Sequence, residues 1–178
     1  MRSDRPPNQK GRLQRLSGWT LLGAFLLLAP TQDALAQLAK GENGLGVAMK
    51  GLVPTGKFRG TSEFGVGFAV VNGFRISEEF SVGADFSFYS AFGKGQSESL
   101  QFMGGQLGGY YHGGPVFVGV DAGYFFGKDI QNEFDVLLAV GYQAEKLDIT
   151  LHYNFLGEVN WVGLRLGYYL AVFGQGQK

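Results

Sequence analysis

Lys50, Asp85, Asp121, His152 and Arg165 are the side chains of this 178-residue sequence whose types could act together. Two cations, two carboxylates and an imidazole can form a buried ion-pair network, because charges removed from water must be paired and hydrogen-bonded. The histidine would sit at its edge as a neutral or switchable member. His152-Tyr153-Asn154, with Glu158 downstream, is a second candidate for nucleophilic chemistry. The nucleophile is missing, since no Ser stands beside His152 and Asn cannot replace one. Metal binding has less to build on. There is no Cys, and the two His, His112 and His152, lack tetrahedral ligand spacing. The glycine pairs do not lie between a strand and a helix, so they are not phosphate loops. Neither a cofactor nor a metal is expected, and no catalytic residue is assigned.

These residues must be positioned by strands. Val116 to Phe126 reads VFVGVDAGYFF, with Val116, Val118, Val120, Ala122, Tyr124 and Phe126 in one phase and Phe117, Gly119, Asp121, Gly123 and Phe125 in the other. Strand side chains alternate between faces, so this period of two predicts a strand. The pattern recurs to give strands at Leu45–Val53, Glu63–Ile76, Phe80–Phe92, Leu100–His112, Val116–Phe126, Phe134–Tyr142, Leu147–Phe155 and Val162–Val172. Pro54-Thr55-Gly56 is expected to break the first strand, with a polar loop to Thr61. In the fourth, Gly104-Gly105 and Gly108-Gly109 blur the phase, which predicts a glycine bulge. Short turns fall at Ser77–Glu79, His112–Pro115 and Ala144–Lys146. Polar loops fall at Pro54–Ser62, Gly93–Ser99, Gly127–Glu133 and Gly157–Asn160. The fold class that follows is all-β: an eight-stranded antiparallel up-and-down barrel with no room for a helix.

The two phases differ in a way that sets the barrel's surroundings. Outside the fourth strand, the apolar phase contains no Asp, Glu, Lys or Arg, while the other is rich in Gly and Ala with few charges. A solvated sheet face would carry Lys, Glu and Thr, because Gly weakens a strand and offers nothing to water. An apolar exterior around a tight polar lumen describes a transmembrane β-barrel. The alternative is a soluble exported barrel, lipocalin-like, with its apolar face turned inward around a hydrophobic ligand. Gly, Asp and Arg would then have to cover a water-exposed surface. A conducting pore is disfavoured, because eight strands leave a lumen only wide enough for side chains. The sixteen Phe, eight Tyr and two Trp are expected to supply lipid contacts and interfacial girdles.

The first 36 residues read as a secretory signal peptide. Arg2, Arg5, Lys10, Arg12 and Arg15 precede the apolar run Trp19–Ala29, and Ala34-Leu35-Ala36 supplies the small residues of a cleavage site. The apolar run is about half the roughly 20 residues a spanning helix needs. Cleavage after Ala36 would leave the barrel domain, 37–178, with ten Lys plus Arg and thirteen Asp plus Glu, a net charge of −3. With no basic patch, nucleic acid is not an expected partner. No later apolar run could form a membrane helix, so any insertion is by strands.

The run Asn72 to Phe88, NGFRISEEFSVGADFSF, resembles the strand–turn–strand signature of small eight-stranded outer-membrane β-barrel proteins, the opacity/porin-like superfamily. GYYHGGPVFVGVDAGYFF resembles the next periplasmic turn of the same family. The last strand is similar to the family's assembly signal, through Arg165, Gly167, Leu170 and Val172, although five residues follow Phe173 where the family usually stops on Phe. The resemblance implies a bacterial outer-membrane barrel, monomeric, in contact with outer-membrane lipid and folded by the outer-membrane assembly machinery. Some small barrels of this kind are lipid A deacylases with His-x-Ser on the catalytic strand; here the Ser is absent and the phase turns His152 inward. A structural or surface-interaction role is therefore expected, with no enzymatic activity and no named surface partner. With both termini in the periplasm, Lys50, Asp85, Asp121, His152 and Arg165 fall at one mid-barrel level. Asp148 and Arg75 fall near the periplasmic rim and Asp135 near the outer one.

Overall fold

A computed structural model describes residues 38–95, 98–127, 133–155 and 160–174. The expected signal peptide, Glu158 and parts of the expected loops at 93–99, 127–133 and 157–160 lie outside them. The barrel lies within the compact unit Gln32–Lys178. Its strands are β1 (Asn43–Thr55), β2 (Ser62–Arg75), β3 (Phe80–Gly93), β4 (Leu100–Gly113), β5 (Val116–Gly127), β6 (Glu133–Ala144), β7 (Leu147–Asn154) and β8 (Asn160–Phe173). Each pairs antiparallel with its sequence neighbours, and β1 pairs with β8, so the sheet closes in simple up-and-down order. Closure leaves no edge strand to recruit another chain.

Alternation is regular around the ring. In β1, Leu45, Val47, Met49 and Val53 point out, while Ala48, Lys50 and Leu52 are buried inside. In β8, Leu164, Leu166, Tyr168 and Leu170 point out, and Trp161 and Tyr169 point in. Large apolar side chains are thus left exposed all round the barrel, from Met49 and Phe68 at 62 % to Leu138 and Leu151 at 50 %. On an ordinary soluble protein, exposed apolar area does not run unbroken round the molecule. Asn43 and Asn72 interrupt the apolar rows near the end of the barrel that carries the short turns, where the Asn72 amide donates to Asn43 Oδ1 at 2.7 Å.

Four sequence expectations change. First, β4 has no bulge: its register with β3 and with β5 runs without a shift. Leu100, Phe102, Gly104, Gln106, Gly108, Tyr110 and His112 hold the inward phase, and the glycines blur it because they serve both faces. A side chain at Gly104 would enter the ring of Phe125, and one at Gly108 would enter the Asp121–Tyr110 contact. The irregularities lie instead at Leu45/Gly46 and Ser62/Phe64, beside the two ends of the barrel. Second, β1 passes through Pro54, which pairs with Trp161. A proline is tolerated near a strand end, where few ladder bonds remain to be made.

Third, the polar loop after β1 contains a 3-10 turn, Gly56–Gly60, that buries Phe58. Thr61 closes it by donating both its backbone N–H and its hydroxyl to the Phe58 carbonyl. Fourth, the aromatics are not all external. Tyr89, Phe102, Phe125 and Trp161 point inward at the loop end and join Leu52, Phe58 and Ala91 in a buried cluster. Tyr89 stacks on Phe102 at 4.9 Å between centroids, and Phe125 meets Trp161 edge-on at 5.8 Å. Offset and edge-to-face pairs of this kind add to the burial of area. The loop end of the lumen is therefore filled with rings.

Candidate functional site: the charged lumen

Below the aromatic cluster the lumen holds its charges. Lys50 and Arg165 are direct cross-strand partners on β1 and β8, two cations that would repel in a low-dielectric interior. Asp85, reaching across from β3, separates them. Lys50 Nζ lies 2.5 Å from Asp85 Oδ2 and 2.7 Å from Ser87 Oγ, and the Ser87 hydroxyl in turn donates to Asp85. Arg165 Nη1 lies 3.9 Å from the same carboxylate oxygen. Its closer partner is Asp148 on β7: Nε donates to Oδ1 at 3.0 Å, while Nη2 and the Asp148 carboxylate both engage the Thr150 hydroxyl. The Lys50 ammonium also sits 5.6 Å above the Tyr89 ring, which links the charged layer to the aromatic one.

The remaining expected members make no ion pair with this network, though Asp121 and His152 lie within its electrostatic reach. Asp121 is held by the Tyr110 hydroxyl rather than by Arg165. His152 is 5 % exposed, and its Nε2 has no hydrogen-bond partner; the ring lies over Gly163, where a side chain would collide with it. Asp135 accepts from Gln106 at 3.0 Å. Sequence height placed Asp148 near a rim, yet it pairs with Arg165, because Thr150 is the cross-strand neighbour of Arg165 and the guanidinium extends two residues along β7. Tyr110, Ser87 and Thr150 were not singled out from sequence. For Ser87 and Thr150 the only signal was an inward phase, which reveals orientation but not partners; Tyr110 lies in β4, whose phase the glycines blur.

A Ser–His pair does exist, away from His152. Ser81 Oγ lies 2.7 Å from His112 Nε2 at the turn end. His112 Nδ1 has no hydrogen-bond partner, so no acid orients the ring as a general base, and the arrangement lacks the third member that activates such a nucleophile. Among the described residues, no group of three or more His, Cys, Asp or Glu is placed to hold a metal ion. The turn-end half of the lumen contains a cavity of about 40 Å³, bordered by Leu38, Asp85, Tyr110, Asp148 and Arg165. That admits a few water molecules at most and is far below the roughly 300–1,000 Å³ of a small-molecule site. Of the assembly-signal residues, Leu170 and Val172 point outward at 61 % and 40 % exposure. Gly167 faces inward against the Asp148 carboxylate.

No family model and no curated protein sequence matches the chain. Among solved structures it is similar to a de novo designed transmembrane β-barrel, with a TM-score of 0.50 at 14% identity over 76% of this chain and all of that one. It is also similar to Ail, the attachment invasion locus protein of Yersinia pestis, with a TM-score of 0.44 at 15% identity over 75% of this chain and 99% of that one. The chain has the fold of the small eight-stranded transmembrane β-barrels.

Proposed function

We propose that the protein is a small outer-membrane β-barrel of the bacterial envelope, with a structural and surface-interaction role and a lumen plugged by its own side chains. The observation that carries this reading is the inverted distribution of polarity. Leu, Val and Phe ring the outside, while Lys50, Asp148 and Asp135 are buried within. A soluble ligand-carrying barrel would need the reverse. Among the described residues, aromatic packing at one end and ion pairs below it fill most of the lumen. That supports a scaffold rather than an enzyme or a pore. In this reading 1–36 is a leader cleaved after Ala36, the partners are outer-membrane lipid and the outer-membrane assembly machinery, and the closed sheet acts as a monomer. Arg165, Gly167, Leu170 and Val172 serve as the assembly signal.

Membrane fractionation with a heat-modifiability gel tests the reading. The protein is expected in the outer-membrane fraction, with a mature N terminus at Gln37 and a mobility that changes on boiling. Recovery from the soluble periplasm without detergent overturns it. A substitution probes the same point residue by residue. Leu166→Arg places a charge on the apolar face of β8, and an Arg at mid-bilayer costs about 2–4 kcal/mol. The variant is expected to insert poorly into vesicles while leaving the lumen contacts intact. Unimpaired insertion would show that this face does not meet lipid.

A further inference from the structure

The two ends of the lumen are closed differently. The loop end is closed by strand-borne rings together with Phe58 of the 3-10 turn, but the turn end is closed by a segment that precedes the barrel. Leu38 is 6 % exposed and packs inside the sheet against Ala48, Ala69, Val71 and Tyr169. The next residues are tied back on themselves and onto β2. Ala39 N–H donates to the Glu42 carboxylate at 2.6 Å, and Glu42 N–H to the Ala39 carbonyl at 2.9 Å. Gly41 N–H donates to the Arg75 carbonyl at 2.8 Å, and Arg75 N–H to the Glu42 carbonyl at 3.0 Å. Gly41 turns the chain at φ +81°, a conformation open to glycine.

The seat for Leu38 is shaped on the barrel side. A side chain at Gly44 would lie 2.6 Å from the Tyr169 ring and 3.1 Å from Leu38 Cδ1, and one at Gly73 would press on the Tyr169 hydroxyl at 3.0 Å. Leu38 also borders two spaces at once: the cavity beside Asp85, Asp148 and Arg165, and a groove at the turn-end mouth beside Lys40, Glu78 and Glu79. It stands, with Arg75 and His112, in the wall between them.

We infer that Leu38–Glu42 is a strap whose leucine stoppers the turn end of the lumen and keeps water and solutes from the Asp85–Arg165–Asp148 charges. The strap is held by one apolar side chain and a few hydrogen bonds near the surface, so it is the part of the closure that can open without unpairing strands. Segments with few buried contacts are drawn from the low end of the local stability range. The inference rests on the closed barrel and not on where the barrel resides.

The chain contains no cysteine, so an introduced one is an unambiguous probe. Val71→Cys lies beside Leu38 under the strap, and Ala91→Cys, 0 % exposed, lies in the aromatic cluster at the other end. Each is made in the full chain, extracted in mild detergent so that both mouths meet buffer, and treated with a charged, membrane-impermeant thiol reagent. Val71→Cys is expected to react slowly. It is expected to react at least about tenfold faster when combined with Leu38→Ala or with Glu42→Ala, since burying a leucine biases such an opening by more than a factor of ten. Ala91→Cys is expected to stay protected in every background. Heat-modifiability identifies any variant that has lost the barrel, and the second strap substitution then stands in for the first. Equal Val71→Cys reactivity with and without the strap changes, whether fast or slow, overturns the stopper, as does parallel deprotection of Ala91→Cys. Reactive Ala91→Cys in the otherwise unchanged chain instead counts against the plugged lumen of the proposed function and leaves the strap to be judged by Val71→Cys.

Discussion

Asp85→Ala is expected to lower the unfolding free energy of the barrel by about 3–5 kcal/mol, the usual cost of removing one partner of a buried pair. Asp85 is the point at which the network joins. It receives the Lys50 ammonium at 2.5 Å and the Ser87 hydroxyl, and it is the carboxylate between Lys50 and Arg165. Lys50 is only 3 % exposed at its side chain, so without Asp85 its charge keeps the Ser87 hydroxyl and little else. Arg165 still has Asp148, so the damage falls chiefly on the lysine. Lys50→Met should cost less than Asp85→Ala, because Asp85 keeps the Ser87 hydroxyl and Arg165 at 3.9 Å when the ammonium is gone. In the double variant, removing Lys50 also removes the reason Asp85 was needed, and the combined loss should be well below the sum. Equilibrium unfolding by urea in lipid vesicles measures all four corners of this cycle. Additive losses would mean that the two side chains do not depend on each other.

Trp161→Ala is expected to have an effect of similar size by a different route, about 3–5 kcal/mol for truncating a large buried aromatic. Trp161 is 0 % exposed and its ring lies 5.6–5.9 Å from those of Phe102, Phe125 and Tyr89. The three neighbours project from β3, β4 and β5, on the wall opposite β8, so they cannot collapse into the gap without moving strands. The measurement is again unfolding in vesicles, alongside the reactivity of Ala91→Cys, which should rise as the loop end opens. A loss below about 1 kcal/mol would show that the cluster fills space without supporting the barrel.

The difference between these two sites also explains what could be read in advance. A strand presents side chains in strict alternation, so the inward or outward orientation of Lys50, Asp121 and Leu166 is a local property of the chain. The one strand whose phase was blurred, β4, was blurred because glycine carries no polarity signal. Its role emerges only when Phe125 and Asp121 on the neighbouring strand are seen to occupy the space. Phe58 was hidden for a related reason: it lies in a loop with no period, and only its burial in the 3-10 turn marks it as part of the closure.

The sequence by itself thus determined eight antiparallel strands, which phase of each but β4 is apolar, and that the charges share the inner phase, because these follow from a period of two and from turn residues. Tertiary structure alone decided which charges meet. Partners across a barrel depend on strand register, on tilt and on the reach of each side chain, none of which is encoded by alternation. So Arg165 takes Asp148 from the neighbouring strand and shares Asp85 with Lys50, Asp121 goes to Tyr110, and His152 lies over Gly163 with no hydrogen bond at Nε2. The same holds for the mouths of the lumen. That Leu38 enters one end and Trp161 fills the other is settled by the width of a closed eight-stranded sheet, a dimension that exists only once β1 has met β8.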